Sequence, residues 1–134
     1  MQALHVQTSK REEFVDITAQ VLDLVASKGW QEGVLVLYCP HTTAGVTINE
    51  SADPSVVRDM LVHLGQAVPK QGDYRHMEGN SDAHIKSSLI GCSETVIVNQ
   101  GQILLGTWQG IFFTEFDGPR SRRLMVQWMP AAGA

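Results

Sequence analysis

The last third of the chain constrains the fold most strongly, because apolar segments and turn residues alternate there at short intervals. These segments predict four strands, at residues 95–99, 103–105, 108–116 and 123–129. Gln100-Gly101 and Asp117-Gly118-Pro119 have the composition of turns. Strands that are joined by short turns pair antiparallel. This region therefore predicts an antiparallel sheet.

The first third predicts a strand, a helix and a second strand. Residues 4–8 alternate weakly and predict the first strand. From Phe14 to Val25 apolar residues recur at helical spacing, and Gly29 suits a left-handed helix cap. The run from Val34 to Cys39 is apolar on both faces, which is typical of a central strand.

The middle third predicts two helices with an irregular segment between them. Asp53 followed by Pro54 is typical of a helix start, and this helix is predicted to reach Gly65. Residues 66–81 are polar and rich in turn formers, and a short helix ending at Gly91 follows. The order of elements predicts one α+β domain over residues 1–134, with a largely antiparallel sheet and two to three helices.

Composition narrows the class of function. The chain has 10 basic and 14 acidic side chains and a formal net charge of −4, which argues against nonspecific binding to nucleic acid. We also expect no membrane association, since no apolar run approaches the ~20 residues that span a bilayer. Without a signal-peptide pattern at the N-terminus, a cytoplasmic protein is expected. Cys39 and Cys92 are expected to be reduced and buried.

The first candidate cluster follows the predicted central strand. His41 stands beside Thr42 and Thr43, and its imidazole could bind a metal ion or carry a proton. Asn49 and Glu50 follow His41 within ten residues. The Glu50 carboxylate could bind a cation or accept a proton near the imidazole, and the alternative is an ordinary exposed glutamate.

A second cluster occupies residues 76–84, where two histidines, two acids and an asparagine fall within nine positions. A divalent ion could be held by His76, His84 and His41, with an open position for water or substrate. The spacing of the two histidines matches no compact zinc signature, so the alternative of separate surface histidines stays open. His5 and His63 lack such neighbours in the sequence.

The third cluster combines aromatic and basic residues in the β-rich region. Arg120 and its neighbours Arg122 and Arg123 could hold a phosphate with their guanidinium forks. The alternative is a solvated hairpin end with Arg122 and Arg123 on opposite faces. Trp108 and Gln109 could form one wall of a pocket or pack the sheet. The chain has no glycine-rich nucleotide fingerprint, P-loop or serine nucleophile elbow.

Together, these segments resemble the YjbQ family, whose members are often labelled secondary thiamine-phosphate synthases. The resemblance covers essentially the whole chain and is carried by residues 39–45, 49–53, 76–80, 83–84, 105–109 and 115–120. It implies a compact α+β domain with a folded antiparallel sheet that assembles as a homotrimer. Tyr74 stands where the family more often has tryptophan.

The resemblance also implies a set of functional residues. The metal ligands would be His41, His76 and His84, with zinc and magnesium both open. The accompanying polar groups would be Glu50, Asn80 and Arg120. On this basis we expect catalytic roles for Glu50, His84 and Arg120. Substrate contacts are expected from Thr42, Thr43, Asn49, Asn80, Trp108, Gln109 and Arg120.

Three functions are open at this point. The first is a transferase that couples a hydroxymethylpyrimidine diphosphate to a thiazole phosphate, possibly as a side activity. The second is a metal-dependent hydrolase of a small phosphorylated or carbonyl compound, and the third is a non-catalytic trimeric protein that binds a metal ion or metabolite. Each takes a small phosphorylated metabolite or a similar ligand. Because 134 residues are too few for a large enclosed site, the missing walls are expected from neighbouring copies in the trimer.

Overall fold

The computed structural model describes residues 1–133. This part of the chain contains three helices, α1 (Thr18–Lys28), α2 (Pro54–Ala67) and α3 (Ser81–Ile90). The strands are β1 (Gln2–Gln7), β2 (Glu13–Asp16), β3 (Gly33–Tyr38), β4 (Ala44–Glu50), β5 (Ser93–Asn99), β6 (Gln102–Ile103), β7 (Gln109–Glu115) and β8 (Ser121–Pro130).

Two antiparallel sheets form the body of the domain. The larger has the strand order β1-β8-β3-β5-β6, and the smaller has the order β2-β7-β4. Every paired neighbour is antiparallel. The prediction of an α+β domain with a largely antiparallel sheet and two to three helices is confirmed.

The hydrophobic core contains residues from both sheets and from α1. Leu35 and Leu37 of β3 are fully buried, as are Ile111 and Phe113 of β7. Val21 of α1 joins the same cluster. Alternate residues of β8 also enter this core, since successive side chains of a strand point to opposite faces.

Two strands differ from the prediction. Phe14 begins no helix, because it lies in β2, where it pairs with Thr114 of β7 and its ring packs against Phe112. The helix starts only at Thr18. Strand β4 was not predicted at all, and it pairs with β7 along its whole length. Both segments gain their strand conformation from the central strand β7, and this non-local partner is invisible in local periodicity.

Helix α2 stands apart from the body of the domain. Its apolar residues are only half-buried, and none of its side chains is fully buried. Asp53 caps it as predicted, with its carboxylate accepting a hydrogen bond from the Ser55 backbone N–H at 2.9 Å. None of the helices within residues 1–133 has the length and apolar character needed to span a bilayer.

Candidate functional site

A cavity of about 410 Å³ brings together three segments that are distant in sequence. The loop before β4, the loop and first turn of α3, and the turn between β7 and β8 all contribute. Its lining residues are Pro40, His41, Thr42, Thr43, His76, Glu78, Asn80, His84, Asp117, Arg120 and Arg122. We call this the histidine–arginine cavity. Seven of the predicted site residues therefore line this one cavity.

The two histidines of the second cluster are direct neighbours. The ring centroids of His76 and His84 lie 5.3 Å apart, edge to face, at an interplanar angle of 87°. Glu78 adds a carboxylate, with Oε2 at 3.8 Å from Nε2 of His76. His84 is fixed by α3, whereas His76 lies in the preceding irregular segment.

His41 approaches the cavity from the other side and is held by backbone contacts. Its Nε2 atom lies 3.1 Å from both the backbone oxygen and the backbone nitrogen of Arg123. Burial lowers the pKa of His41, and the positive charge of Arg122 lowers it further. The imidazole is therefore neutral near pH 7, which is the form that can bind a metal ion.

The donors for a metal ion are only partly in place. Among residues 1–133, no three His, Cys, Asp or Glu side chains are arranged to hold one. His76 and His84 fit as two neighbouring ligands, but Nε2 of His41 is directed at the Arg123 backbone. A contribution from His41 would have to come from Nδ1 or follow a movement of its ring.

The arginine side of the cavity is organised by Asp117. Arg120 donates from Nε to the Asp117 backbone oxygen at 2.9 Å and from Nη2 to Oδ2 at 3.2 Å. Asn80 donates from Nδ2 to the same Oδ2 atom at 2.8 Å. The Asn80 Oδ1 atom is buried and has no hydrogen-bond partner within residues 1–133. Asn80 therefore supports Asp117 through Nδ2 and leaves one buried acceptor without a partner.

A buried ion pair supports the floor of the cavity. Arg122 donates from Nε to Glu115 Oε1 at 2.9 Å and from Nη2 to Thr43 Oγ1 at 2.8 Å. Burial raises the pKa of Glu115, but hydrogen bonds from Arg122, the Asp117 backbone and Thr8 outweigh that effect and hold the pKa below its ordinary value. Glu115 is therefore ionised and fixes the guanidinium.

A second buried network anchors α3. Asp82 accepts two hydrogen bonds from Arg11, at 3.1 and 2.9 Å, and a third from Lys86 at 3.1 Å. Lys86 also pairs with Glu12. Burial raises the pKa of Asp82, yet its bonds to Arg11 and Lys86 lower the pKa by more. Because His84 lies between Asp82 and Lys86 in sequence, this network fixes the helix that carries it.

The sequence indicated Arg122 as a possible phosphate contact beside Arg120, but it did not predict the burial of Arg122, Glu115, Asp82 and Lys86. For Arg122 a signal existed, because its spacing from Leu124 and Val126 by two and four positions puts all three on the inner face of β8. For Glu115 the signal is a carboxylate within a strand that is otherwise buried. Asp82 and Lys86 carry only the helical i, i+4 spacing, which is common on exposed helices.

Four predicted residues lie elsewhere. Asn49 and Glu50 form the far end of β4, opposite Gly110 and Gln109 of β7, and Trp108 comes just before that point. A seven-residue strand separates this end from the cavity, a distance of roughly 20 Å at the usual rise of about 3.3 Å per residue. We call Asn49, Glu50, Trp108 and Gln109 the far-end group.

The far-end group is mostly engaged locally. Glu50 Oε2 accepts a hydrogen bond from the Ala52 backbone N–H at 2.9 Å, and Gln109 Oε1 accepts one from Gly106 at 2.7 Å. Trp108 is 64% exposed, so it packs against little within this chain. Within this chain, the far-end group and the histidines do not form one site.

Comparison with known families places residues 2–131 in the family described as UPF0047 protein YjbQ-like. The UPF0047 protein of Methanocaldococcus jannaschii is 56% identical over 122 residues, which are 91% of this chain and 88% of that protein. The UPF0047 protein YugU of Bacillus subtilis is 49% identical over 130 residues, covering 96% of this chain and 98% of that protein.

Solved structures show the same fold. A crystal structure of a YjbQ/UPF0047 family protein from Clostridium acetobutylicum matches with a TM-score of 0.94 at 53% identity, covering 96% of this chain and all of that one. A conserved hypothetical protein from Thermus thermophilus matches with a TM-score of 0.90 at 40% identity, covering 96% of this chain and 100% of that one. These names identify a family without stating a substrate or a reaction.

Proposed function

We propose that this chain, which belongs to the UPF0047 protein YjbQ-like family, is a transferase of the thiamine-phosphate synthase type that acts on small phosphorylated compounds. One observation carries the proposal: the His76–His84 pair lines the same cavity as Arg120 and Arg122. Guanidinium groups match phosphate oxygens, and imidazoles supply metal ligands or proton donors.

The proposed reaction couples a hydroxymethylpyrimidine diphosphate to a thiazole phosphate. The bond between the pyrimidine methylene carbon and the diphosphate oxygen breaks, and diphosphate leaves with the electron pair. The thiazole nitrogen then donates its lone pair to that carbon, so the product is a thiazolium phosphate. The chemistry needs donors on the departing diphosphate and a surface that stabilises positive charge on the methylene carbon.

The polar residues of the histidine–arginine cavity match these needs. Arg120 is half-exposed at the cavity, and its guanidinium fork suits a diphosphate oxygen. Tyr74 lines an adjoining depression with His76 and His84, and in this proposal its ring would stabilise the developing cation.

His76 and His84 would hold a divalent ion, with His41 as the third ligand through Nδ1. When bound, such an ion would neutralise negative charge on the diphosphate. Imidazole ligands favour zinc, whereas phosphate oxygens favour magnesium, and the proposal includes either ion. The neutral form of His41 near pH 7 supports its part in this set.

The proposal includes a homotrimer in which each copy completes its neighbour's cavity. Helix α2 has no fully buried residue, although Met60, Leu61 and Leu64 are apolar. Such a helix needs a partner to cover its apolar face. Two members of the far-end group, Asn49 and Glu50, come just before α2 in the chain, and Trp108 and Gln109 lie at the start of the paired strand β7. A neighbouring copy that contacts α2 would therefore also contact Glu50 and Trp108.

Purified protein incubated with both substrates and either metal ion tests the reaction. We expect thiamine phosphate and diphosphate to form in equal amounts, and a chelator to suppress both products. Thermal stabilisation by either substrate without any product would contradict a transferase and favour the non-catalytic binding protein. Release of inorganic phosphate from one substrate alone would favour the hydrolase.

A further inference from the structure

We propose that a second, uncharged cavity lies next to the histidine–arginine cavity and binds the unphosphorylated part of the diphosphate substrate. This inference rests on the proposed function, since it assumes that a phosphate group occupies the arginine side. The second cavity would hold the neutral organic group at the other end of the ligand, and this sets the direction of the ligand in the site.

The two cavities meet at the histidines. The second cavity has a volume of about 470 Å³. Its wall includes His41, Thr42 and His84, which also line the histidine–arginine cavity. The remaining lining residues are Ala44, Ser87, Ser88, Gly91 and Cys92. The shared residues put the two cavities side by side, so a ligand that occupied both would have to pass His41 and His84.

The two cavities differ in the charged side chains that line them. Arg120, Arg122, Asp117 and Glu78 line the first, whereas among residues 1–133 no Asp, Glu, Lys or Arg side chain lines the second. A phosphate in the second cavity would lose water without gaining a cationic partner, which is costly. The charged end of a ligand is therefore expected beside Arg120, and its neutral end in the second cavity.

Two of the three hydroxyl groups that line the second cavity already have partners within the chain. Ser87 Oγ donates to the Thr42 backbone oxygen at 2.7 Å, and Ser88 Oγ donates to the His84 backbone oxygen at 2.9 Å. What remains for a ligand is the Thr42 side chain, the Ala44 methyl group, the Gly91 backbone and the thiol of Cys92, which is exposed and not buried as expected. These surfaces favour an apolar or aromatic group over a strongly polar one.

This geometry places the reacting bond of the substrate. If the phosphate lies at Arg120 and the organic group lies beyond His84, the bond that joins them passes the shared residues His41 and His84. His41 and His84 would therefore lie beside the bond that joins the phosphate to the organic group.

Calorimetric titration with two probes, inorganic phosphate and phenyl phosphate, tests the second cavity. We expect wild-type protein to bind phenyl phosphate at least about ten-fold more tightly than inorganic phosphate, because the ring buries apolar surface. The variant Cys92→Trp fills the cavity, and it should remove this preference while binding inorganic phosphate as before. Ser93→Trp is the matched control, since exposed Ser93 is the next residue and lies outside the lining, and it should retain the preference.

A labelling experiment on unsubstituted protein avoids any effect of the tryptophan on folding. Phenyl phosphate should slow the reaction of Cys92 with N-ethylmaleimide, and inorganic phosphate at equal occupancy should not. Cys39 does not interfere, because its thiol is buried and burial raises its pKa to about 11.

Two results would overturn the inference. Equal affinity of wild type for both probes, or equal protection of Cys92 by both, would show that the second cavity adds nothing, while phosphate binding would leave the proposed function standing. Failure of wild type to bind either probe would contradict the proposed phosphate site and this inference together.

Discussion

The guanidinium group of Arg122 lies against the carboxylate of Glu115, with Nε at 2.9 Å from Oε1, and both side chains are almost completely buried. One of these residues comes from β8 and the other from the central strand β7, so the pair joins the two sheets beneath the histidine–arginine cavity. Breaking a buried pair leaves one uncompensated charge in the interior.

The first prediction concerns this pair. Arg122→Met removes the charge that neutralises Glu115, and it should lower the free energy of unfolding by about 3–5 kcal/mol. Arg58→Met is the control, because Arg58 and Asp59 form a pair with both side chains largely exposed, and its loss should cost less than about 1 kcal/mol. Urea denaturation measures both values, and equal losses would show that the Arg122 pair does not support the fold.

The second prediction is a loss of stability in acid. The folded-state pKa values of Asp82 and Glu115 lie below their ordinary values of 3.8 and 4.5. The unfolded chain therefore takes up these protons first as the pH falls, so their stabilisation is present above those values and disappears below them.

Urea denaturation between pH 7 and pH 3 measures this dependence. The variant Asp82→Asn should show a shallower fall in the free energy of unfolding below about pH 4 than wild type. Asp59→Asn, in the exposed pair, is the control. An identical acid slope in wild type and Asp82→Asn would contradict the assignment of Asp82.

The third prediction concerns the charge of His41. Because burial and the nearby Arg122 lower its pKa, the imidazole should titrate below 6.5. This lowered pKa adds stability above pH 6.5, and that part is lost as the pH falls through the folded-state value. An NMR titration of the histidine ring protons, assigned with His41→Gln, gives the midpoint. A midpoint at or above 6.5 would contradict the neutral imidazole at the site.

The fourth prediction concerns assembly. Leu61→Asp places a charge on the apolar side of α2 and should shift the protein from a trimer toward the 14.7 kDa monomer in light scattering. Val62→Asp is the control, since Val62 already lies exposed on the same helix, and it should stay trimeric. Monomeric wild type at every concentration would contradict the proposed trimer.

Signals from residues that are close in sequence were sufficient to predict much of the fold. The Asp53-Pro54 start of α2 could be predicted because a side-chain cap acts within a few residues. The alternation of β8 likewise predicted a half-buried strand. The contact between His76 and His84 could be predicted because only a short segment separates the two residues in the chain.

Non-local partners explain what could not be predicted. Strand β4 exists through its pairing with β7, so the closeness of Glu50 to His41 in sequence did not reveal that the strand holds them apart. Phe14 suits a helix by spacing, but it is drawn into β2 by the rings of Phe112 and Phe116. The partners of Arg122 and Asp82 are likewise distant in sequence or in a different element.

The rate of thiamine phosphate formation in wild type, His84→Ala and His5→Ala tests the central claim most directly. His5 lies exposed on β1, away from the cavity lining, and its removal should leave the rate unchanged. Loss of His84 should lower the rate by about 10²–10³-fold, as expected for one charge-stabilising group. Equal traces of product from wild type and His84→Ala would show that the histidine–arginine cavity is not the site of this reaction.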